Sequence, residues 1–235
     1  MRVQKCPIYF VLCCLLSCAG ESVEEWRTFD LLSPVKTIIE QRHQAERLSD
    51  TEWEIGAFAP YSAETHLFFD EAGNYVRTEI FRDGRLSERT ETIRAGGKIS
   101  GWVIYGEDGT INSEAELTKN TRKETILNNY ELAESGDKVL VSTIFSRLRK
   151  GRAYFSEQTL FSSSEEEDKR YVTALEYGPN GLLKGVKSTG PNNYDVEISF
   201  EYLAFDEAGN WTQRLDFNKE QTSNAEIVVR SYEYY

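Results

Sequence analysis

Apolar and polar residues alternate with a period of two along most of this chain. Because successive side chains of a β-strand point to opposite faces, such runs predict half-buried strands. They also lie between clusters of turn-forming residues, as in all-β proteins. Residues 112–134 fit helical turns as well as strands. The clearest alternating runs lie at residues 35–40, 102–105, 139–145, 171–177, 196–202 and 228–234.

The predicted turns repeat a short motif. The hexapeptide FDEAGN occurs at residues 69–74 and again at 205–210, followed by Tyr75 and Trp211 respectively. Looser copies read YGEDGT at residues 105–110 and YGPNG at 177–181. Asp and Asn cap such turns through their side chains, and Gly supplies the positive φ that closes them. The motif therefore predicts a series of hairpins.

This motif resembles the YD repeat of Rhs-type proteins. It consists of an aromatic residue, Asp, two variable residues, Gly, Asn and a second aromatic residue. A strand and a glycine turn at residues 82–85 follow it. It resembles still more the degenerate copies in lipoproteins of Bacteroidota. The opening LLSPVKTII at residues 31–39 and the ending VRSYEYY at 229–235 match the same group. The resemblance implies a sheet of successive hairpins and no known activity.

The predicted architecture is one curved, partly rolled antiparallel sheet over residues 31–235. An array of about ten to twelve strands does not stay flat, because strand twist makes large open sheets curl or split. We expect the aromatic side chains to collect on its concave side.

The N-terminus carries an export signal. Arg2 and Lys5 precede an apolar run through residues 7–16, which is too short to cross a bilayer as a helix. Its end, Leu-Leu-Ser before Cys18, resembles the lipobox of bacterial lipoproteins. The resemblance implies a signal peptide at residues 1–17, a lipidated Cys18, and a tether over residues 18–30. Cleavage after Gly20 with plain secretion, or an uncleaved anchor, are the alternatives.

Lipid on Cys18 would attach the domain to the cell envelope, with the outer membrane as the favoured destination because Ala19 follows the cysteine. All four cysteines lie within residues 6–18, so the rest of the chain has no thiol for a disulfide or a metal. The formal net charge of −12 disfavours both nucleic acid and anionic headgroups as partners.

The sequence predicts no cofactor, no metal site and no catalytic residue. It has only two histidines, His43 and His66, and neither has cysteine nearby. The carboxylates of the FDEAGN motif are interpreted as turn formers rather than calcium ligands. The basic group Arg147, Arg149, Lys150 and Arg152 is interpreted as a hairpin tip, with an acidic partner or a lipid headgroup as the alternative.

We therefore expect a non-enzymatic envelope module that binds a protein or a glycan, or serves as a scaffold. A carrier of lipid or another amphiphile in a half-barrel is the first alternative, and a hydrolase with paired carboxylates is the second. Aromatic residues beside the predicted turns and strands are the candidate contact residues: Tyr75, Trp102, Tyr105, Tyr177 and Trp211.

Overall fold

The computed structural model describes residues 25–49, 52–60, 62–133, 135–162, 167–218 and 221–235. The expected signal peptide, residues 1–17, and the expected lipidation site, Cys18, lie outside these ranges. Within them a short 3-10 helix, Glu25–Phe29, precedes fifteen strands: β1 (Thr37–Arg47), β2 (Trp53–Phe58), β3 (Glu64–Phe69), β4 (Tyr75–Arg82), β5 (Arg85–Ala95), β6 (Lys98–Gly106), β7 (Ile111–Asn120), β8 (Glu124–Leu132), β9 (Lys138–Arg149), β10 (Arg152–Leu160), β11 (Lys169–Tyr177), β12 (Leu183–Gly190), β13 (Tyr194–Phe205), β14 (Trp211–Asn218) and β15 (Gln221–Glu233).

The sheet closes into a barrel. From β3 onward each strand pairs antiparallel with the next, and β15 returns to pair with β1, from Thr37 opposite Glu233 to Gln44 opposite Glu226. The other edge of β1 pairs with β3 and then β2, so the wall is fourteen strands around. Our expectation of an open, partly rolled sheet is therefore wrong. Strand twist does curl the sheet, but closure also gives both edge strands hydrogen-bond partners.

The glycine turns form as predicted. Gly73, Gly109, Gly181 and Gly209 have φ angles of 77°, 79°, 83° and 84°. Each turn repeats one pair of backbone hydrogen bonds; at residues 70–74 the amide of Asp70 donates to the Asn74 carbonyl and that of Gly73 to the Asp70 carbonyl. This geometry explains the repeated motif. Common descent with YD repeats stays a prediction.

Within the stretch that fitted helical turns as well as strands, residues 112–120 and 124–132 form strands, as parts of β7 and β8. On these strands Ala115 and Leu127 are buried, while Glu114 and Asn128 lie on the opposite face. The alternation had been obscured in the sequence by small and polar residues on the buried face.

Strand register sorts the side chains into an inner and an outer face. Ile38 lies opposite Leu67, and Leu67 opposite Thr78, and all are at most 3% exposed. These residues mark the inner face, whereas their chain neighbours Phe68 and Arg77 lie outside. Following the register around the barrel places the other large buried side chains on the inner face as well, among them Trp102, Leu127, Ile144, Leu175 and Val186.

The outer face carries charged side chains midway along the strands. Arg89 pairs with Glu91 at 3.2 Å, and Lys138 pairs with Glu114 and Glu116 at 2.7 and 3.1 Å. Membrane-spanning barrels instead present an apolar band about 25 Å tall, where a Lys or Arg costs about 2–4 kcal/mol at the bilayer midplane. Among the described residues, no helix is long and apolar enough to cross a membrane.

One apolar cluster lies on the outer face beside the closing pairing. Leu215, Ala225 and Ile227 are buried there, and Trp53 of β2 packs against them. The β1–β2 hairpin is thereby attached to the β14–β15 hairpin.

Candidate functional site

The two ends of the barrel differ. Because strand direction alternates, the turns at residues 70–74, 178–182 and 206–210 lie at one end and those at 106–110 and 133–137 at the other. Residues 25–36, called the strap here, cross the first end, which we call the strap end. The second end is called the mouth.

Glu25 fastens the start of the strap to β4 and β5. Its carboxylate accepts two hydrogen bonds from the guanidinium of Arg94, at 2.9 and 2.6 Å, and one from the backbone amide of Tyr75 at 2.8 Å. Arg94 also donates to the Tyr75 carbonyl at 2.8 Å. Such paired bonds from arginine to carboxylate are strong and fix direction.

The middle of the strap fills the interior at this end. The Phe29 ring lies 5.2 Å from Phe69 and its carbonyl accepts a hydrogen bond from Arg230 at 2.8 Å. Asp30 pairs with Arg152 of β10 at 3.1 Å. Burial raises the pKa of Asp30, and Arg152 opposes that shift. Residues of the expected tether therefore contribute to the core of the barrel.

Asn210 holds the end of the strap. It is fully buried, and its side-chain oxygen accepts a hydrogen bond from the amide of Leu32 at 2.7 Å. Its side-chain nitrogen donates to Ser33 and to the Tyr234 hydroxyl, both at 3.0 Å. The second FDEAGN turn thus anchors the strap.

An ion network crosses the closing pairing of β1 with β15. Glu40 accepts from Arg230 at 2.9 Å, and Arg42 pairs with Asp216 at 3.2 Å and with Glu226 at 3.3 Å. All these residues lie on the inner face. Buried ion pairs are weak evidence for stability, but removing one partner leaves a costly unpaired charge. The network therefore favours this register of closure.

The same network explains the acidity of Glu40. Burial would raise the pKa of Glu40, but Arg230, Arg42 and Arg214 outweigh burial and lower it to about 2. Glu40 is thus held as a carboxylate. A glycoside hydrolase instead needs an acid whose pKa is raised beside a second carboxylate in a cleft. The network is suited to closing the barrel and not to that chemistry.

Trp211 lies between two arginines of this network. Its ring is 3.9 Å from the guanidinium carbon of Arg230 and 4.9 Å from that of Arg214. Arg214 also lies over Phe200 at 4.4 Å and donates to Asp216 at 2.6 and 2.9 Å. Tyr232 donates its hydroxyl to the Trp211 carbonyl. Trp211 is fully buried, so it acts here as packing.

Most inner-face residues near the mouth are half-exposed, while most of those near the strap are buried; Tyr202 and Tyr232 near the strap are partly buried. On β6, Ile104 is half-exposed, whereas Trp102 and Ile99 are 3% and 6% exposed. On β10, Leu160 is half-exposed, whereas Ala153 is fully buried. The interior is thus closed at the strap and accessible from the mouth. The half-exposed inner-face residues include Thr65, Thr90, Ser113, Asn129, Gln158, Tyr171, Tyr194, Val196 and Ile198.

One wall of the mouth is aromatic and apolar. The rings of Tyr171 and Tyr194 lie 5.5 Å apart, edge to face. Tyr171 lies directly over Gly190, where an added Cβ would come within 2.4 Å of its ring. Val196 and Ile198 continue this wall along β13. Gly190 is therefore required for the placement of Tyr171.

The facing wall, on β5 to β8, is mainly polar, although Ile104 of β6 lies between Thr90 and Ser113. Thr90, Ser113 and Asn129 lie on its inner face, and Asn129 donates to Ser142 at 2.9 Å. The mouth thus has rings and aliphatic groups on one side, facing hydroxyls, an amide and the Ile104 side chain on the other.

Two polar atoms at the base of the mouth have no hydrogen-bond partner among the described residues. They are the indole nitrogen of Trp102 and the hydroxyl of Thr92, which lie opposite each other on β6 and β5. Elsewhere in the interior hydroxyls pair, as Ser146 does with Ser156 at 2.8 Å, but the buried indole nitrogen of Trp211 at the strap end also has no partner among the described residues. Most buried polar groups are paired, so an unpaired couple suggests a water or a ligand group.

The structure separates the five candidate contact residues. Tyr75, Trp102 and Trp211 are buried on the inner face, and Tyr177 is partly buried against the interior. Tyr105 lies on the outer face with Arg89 4.7 Å above its ring. They form no common exposed surface, and a binding role for each stays a prediction.

The residues that the sequence interpretation missed are Tyr194 and Thr92. Tyr194 lies two residues before Val196 and so continues the alternating run at residues 196–202. That alternation could have placed its side chain on the inner face. His43 and His66 lie on the outer face beside Phe58 and Phe81. No group of three or more His, Cys, Asp or Glu side chains in the described ranges could hold a metal.

Comparison with known proteins does not assign this chain to a family. No family model matches the chain, and no curated protein matches it. Among solved structures, a porin-like protein from Bacteroides vulgatus is similar with a TM-score of 0.45 and 10% identity, over 86% of this chain and 99% of that one. One from Bacteroides uniformis has a TM-score of 0.36 and 11% identity, over 86% and 98%. Neither similarity carries functional information to this chain.

Proposed function

We propose that this chain is a non-enzymatic binding barrel of the cell envelope, tethered by lipid on Cys18, which takes a glycan into its mouth. The observation that carries the proposal is the gradient along the interior, from buried side chains at the strap to half-exposed ones at the mouth. A one-ended cavity can hold a ligand but offers no through path, which suits a binding module.

The chemistry of the mouth favours a glycan. A sugar ring presents C–H groups on one face and hydroxyls around its edge. Tyr171 and Tyr194 offer rings for such a face, and Asn129, Thr90 and Ser113 offer hydrogen bonds to hydroxyls. The unpaired nitrogen of Trp102 supplies a further donor at the base.

The outer wall supports an aqueous setting for the barrel. Its charged pairs lie midway along β5 and β7, where lipid contact would be costly. A barrel held beside the membrane by acyl chains, rather than within the membrane, fits this surface. We keep the outer membrane as the proposed cellular location.

A carrier of amphiphiles is the second candidate. Leu160, Val196 and Ile198 give the mouth an apolar wall that could contact an acyl chain. The polar wall and the strap that fills the other end argue against a long apolar trough. The candidate ligands are therefore narrowed to molecules with one apolar and one polar face.

Saturation-transfer NMR on the chain from Ala19 onward tests the proposal. The probes are one- to four-unit oligosaccharides of glucose, galactose and N-acetylglucosamine. We expect signals on ring C–H protons of at least one probe, and their loss in a Tyr171→Ala, Tyr194→Ala double variant. Tyr105→Ala is the matched control, since this tyrosine lies outside. Absence of signal from every probe, or a loss only in Tyr105→Ala, would contradict a glycan site in the mouth.

A further inference from the structure

Five cations gather at two neighbouring hairpin tips of the strap end. They are Arg122 and Lys123 between β7 and β8, and Arg147, Arg149 and Lys150 at the end of β9 and its turn; all five are exposed. The two tips touch, because the amide of Leu148 donates to the Lys123 carbonyl at 2.7 Å. We call this group the basic tip. It lies on a chain whose net charge is −12.

Acidic neighbours do not neutralise the basic tip. Glu124 lies opposite Arg147 in register but pairs with Lys119. In the described part of the chain, no carboxylate forms an ion pair with any of the five cations. The sequence had grouped Arg152 with them, but Arg152 turns inward to Asp30.

Aromatic rings accompany the cations. Arg147 lies over Phe155 at 5.4 Å, and Arg149 lies over Tyr154 at 5.2 Å. Tyr154 is 37% exposed beside them. Aromatic side chains with a polar tip are typical of membrane interfaces, where one end is apolar and the other wet.

The basic tip lies at the end where the N-terminal chain enters the barrel. Glu25, at the start of the strap, binds Arg94 beside the β5–β6 turn of this same end. Cys18 precedes Glu25 by seven residues. Seven residues span at most about 25 Å when fully extended. A lipid on Cys18 would therefore keep the strap end within about 25 Å of the bilayer.

We propose that the basic tip docks on anionic lipid headgroups, so that the strap end rests on the membrane and the mouth faces away from it. Clusters of Lys and Arg near a membrane bind its anionic surface, each adding about 1 kcal/mol. A single acyl chain binds weakly, and a polybasic patch is a known second attachment signal. This inference does not depend on which ligand the mouth binds.

Vesicle binding tests the proposal without the lipid anchor. The chain used begins at Ala19, because every contact described above is made by residues from Glu25 onward. The vesicles are pure phosphatidylcholine or contain about 30% phosphatidylglycerol, at low and high salt. We expect binding only to the anionic vesicles at low salt. The basic-tip variant should bind them about tenfold or more weakly; it carries Arg122→Gln, Lys123→Gln, Arg149→Gln and Lys150→Gln.

A control variant with the same change in net charge removes exposed cations at the mouth. We expect it to bind like the unaltered chain, and both variants should keep the same thermal midpoint. Equal loss in both variants, or no preference of the unaltered chain for anionic vesicles, would overturn the proposal. The control carries Arg82→Gln, Arg85→Gln, Lys169→Gln and Arg170→Gln.

Orientation gives a second measurement on the full lipidated protein. Glu71 and Glu107 are exposed turn residues at the strap end and the mouth. A fluorophore on Glu71→Cys should be quenched by spin-labelled lipids in anionic vesicles, and one on Glu107→Cys should not. Equal quenching at both positions would contradict the proposed orientation.

Discussion

The strap end and the mouth of this barrel are built from the same alternating strands, yet their interiors differ. At the strap end, residues from a separate segment fill the space, and Phe29, Asp30 and Asn210 connect it to the wall. At the mouth no described segment does this, and Tyr171 and Tyr194 remain half-exposed. The comparison shows that closing a sheet does not by itself make a core. What occupies the interior decides which half is structural and which is available to a ligand.

The largest contrast should come from removing one aromatic side chain at each end. Trp211→Ala removes a fully buried ring between two arginines and should cost about 3–5 kcal/mol of unfolding free energy. Tyr171→Ala removes a half-exposed ring and should cost about 1 kcal/mol. Urea unfolding of both variants measures the difference. Similar costs would mean that the two ends are equally packed.

Acid should weaken the closing pairing through Glu40. The pKa of Glu40 is lowered to about 2 in the fold, against an ordinary value of 4.5. Its contribution is therefore complete above pH 4.5 and is lost as the pH falls toward 2, for a total of up to about 3 kcal/mol. The Glu40→Gln variant should be less stable than the unaltered protein at pH 7. It should also lose less unfolding free energy when the pH is lowered. Urea unfolding at pH 7 and pH 3 measures this, and parallel pH dependence in both proteins would contradict it.

The two FDEAGN turns provide a matched pair of asparagines. Asn210 is fully buried and binds the strap, whereas Asn74 is half-exposed and bonds to Asp70 within its own turn at 2.9 Å. We expect Asn210→Ala to cost about 2 kcal/mol and Asn74→Ala about 0.5 kcal/mol. Thermal unfolding of both variants checks the order. Equal costs would mean that Asn210 acts only as a turn former.

A small effect on stability is expected at the base of the mouth. Trp102→Phe keeps an aromatic ring but removes an N–H that has no partner among the described residues. Stability should change by less than about 1 kcal/mol, while affinity for the sugar identified by NMR should fall about fivefold. Calorimetry and binding titration separate the two. Unchanged affinity for the sugar would mean that Trp102 is not part of the ligand site.

The sequence was sufficient for most of the local structure, although it left residues 112–134 open between helical turns and strands. Period-two runs predicted strands such as β11 and β13, and the glycines at 73 and 209 predicted the turns. It did not predict closure, because the β1–β15 pairing joins residues almost two hundred positions apart and depends on the twist summed over every strand.

The strap was missed for a different reason. Residues 19–30 are acidic and aperiodic, which is typical of a tether. Phe29, Leu31 and Val35 are buried because they pack against the barrel wall. Their spacing in the sequence gives no sign of that contact. The unpaired Thr92 and Trp102 were equally hidden, since hydrogen-bond satisfaction depends on the surroundings and not on residue type.

Cysteine labelling tests the difference between the two ends most directly, because the chain from Ala19 onward contains no native cysteine. Ser113 lies half-exposed on the inner face near the mouth, and Ser146 is fully buried on the inner face. We predict that Ser113→Cys reacts rapidly with a small maleimide and slowly with a bulky one, whereas Ser146→Cys reacts only after unfolding. Rapid labelling of both positions, or protection of both, would contradict a barrel closed at the strap and open at the mouth.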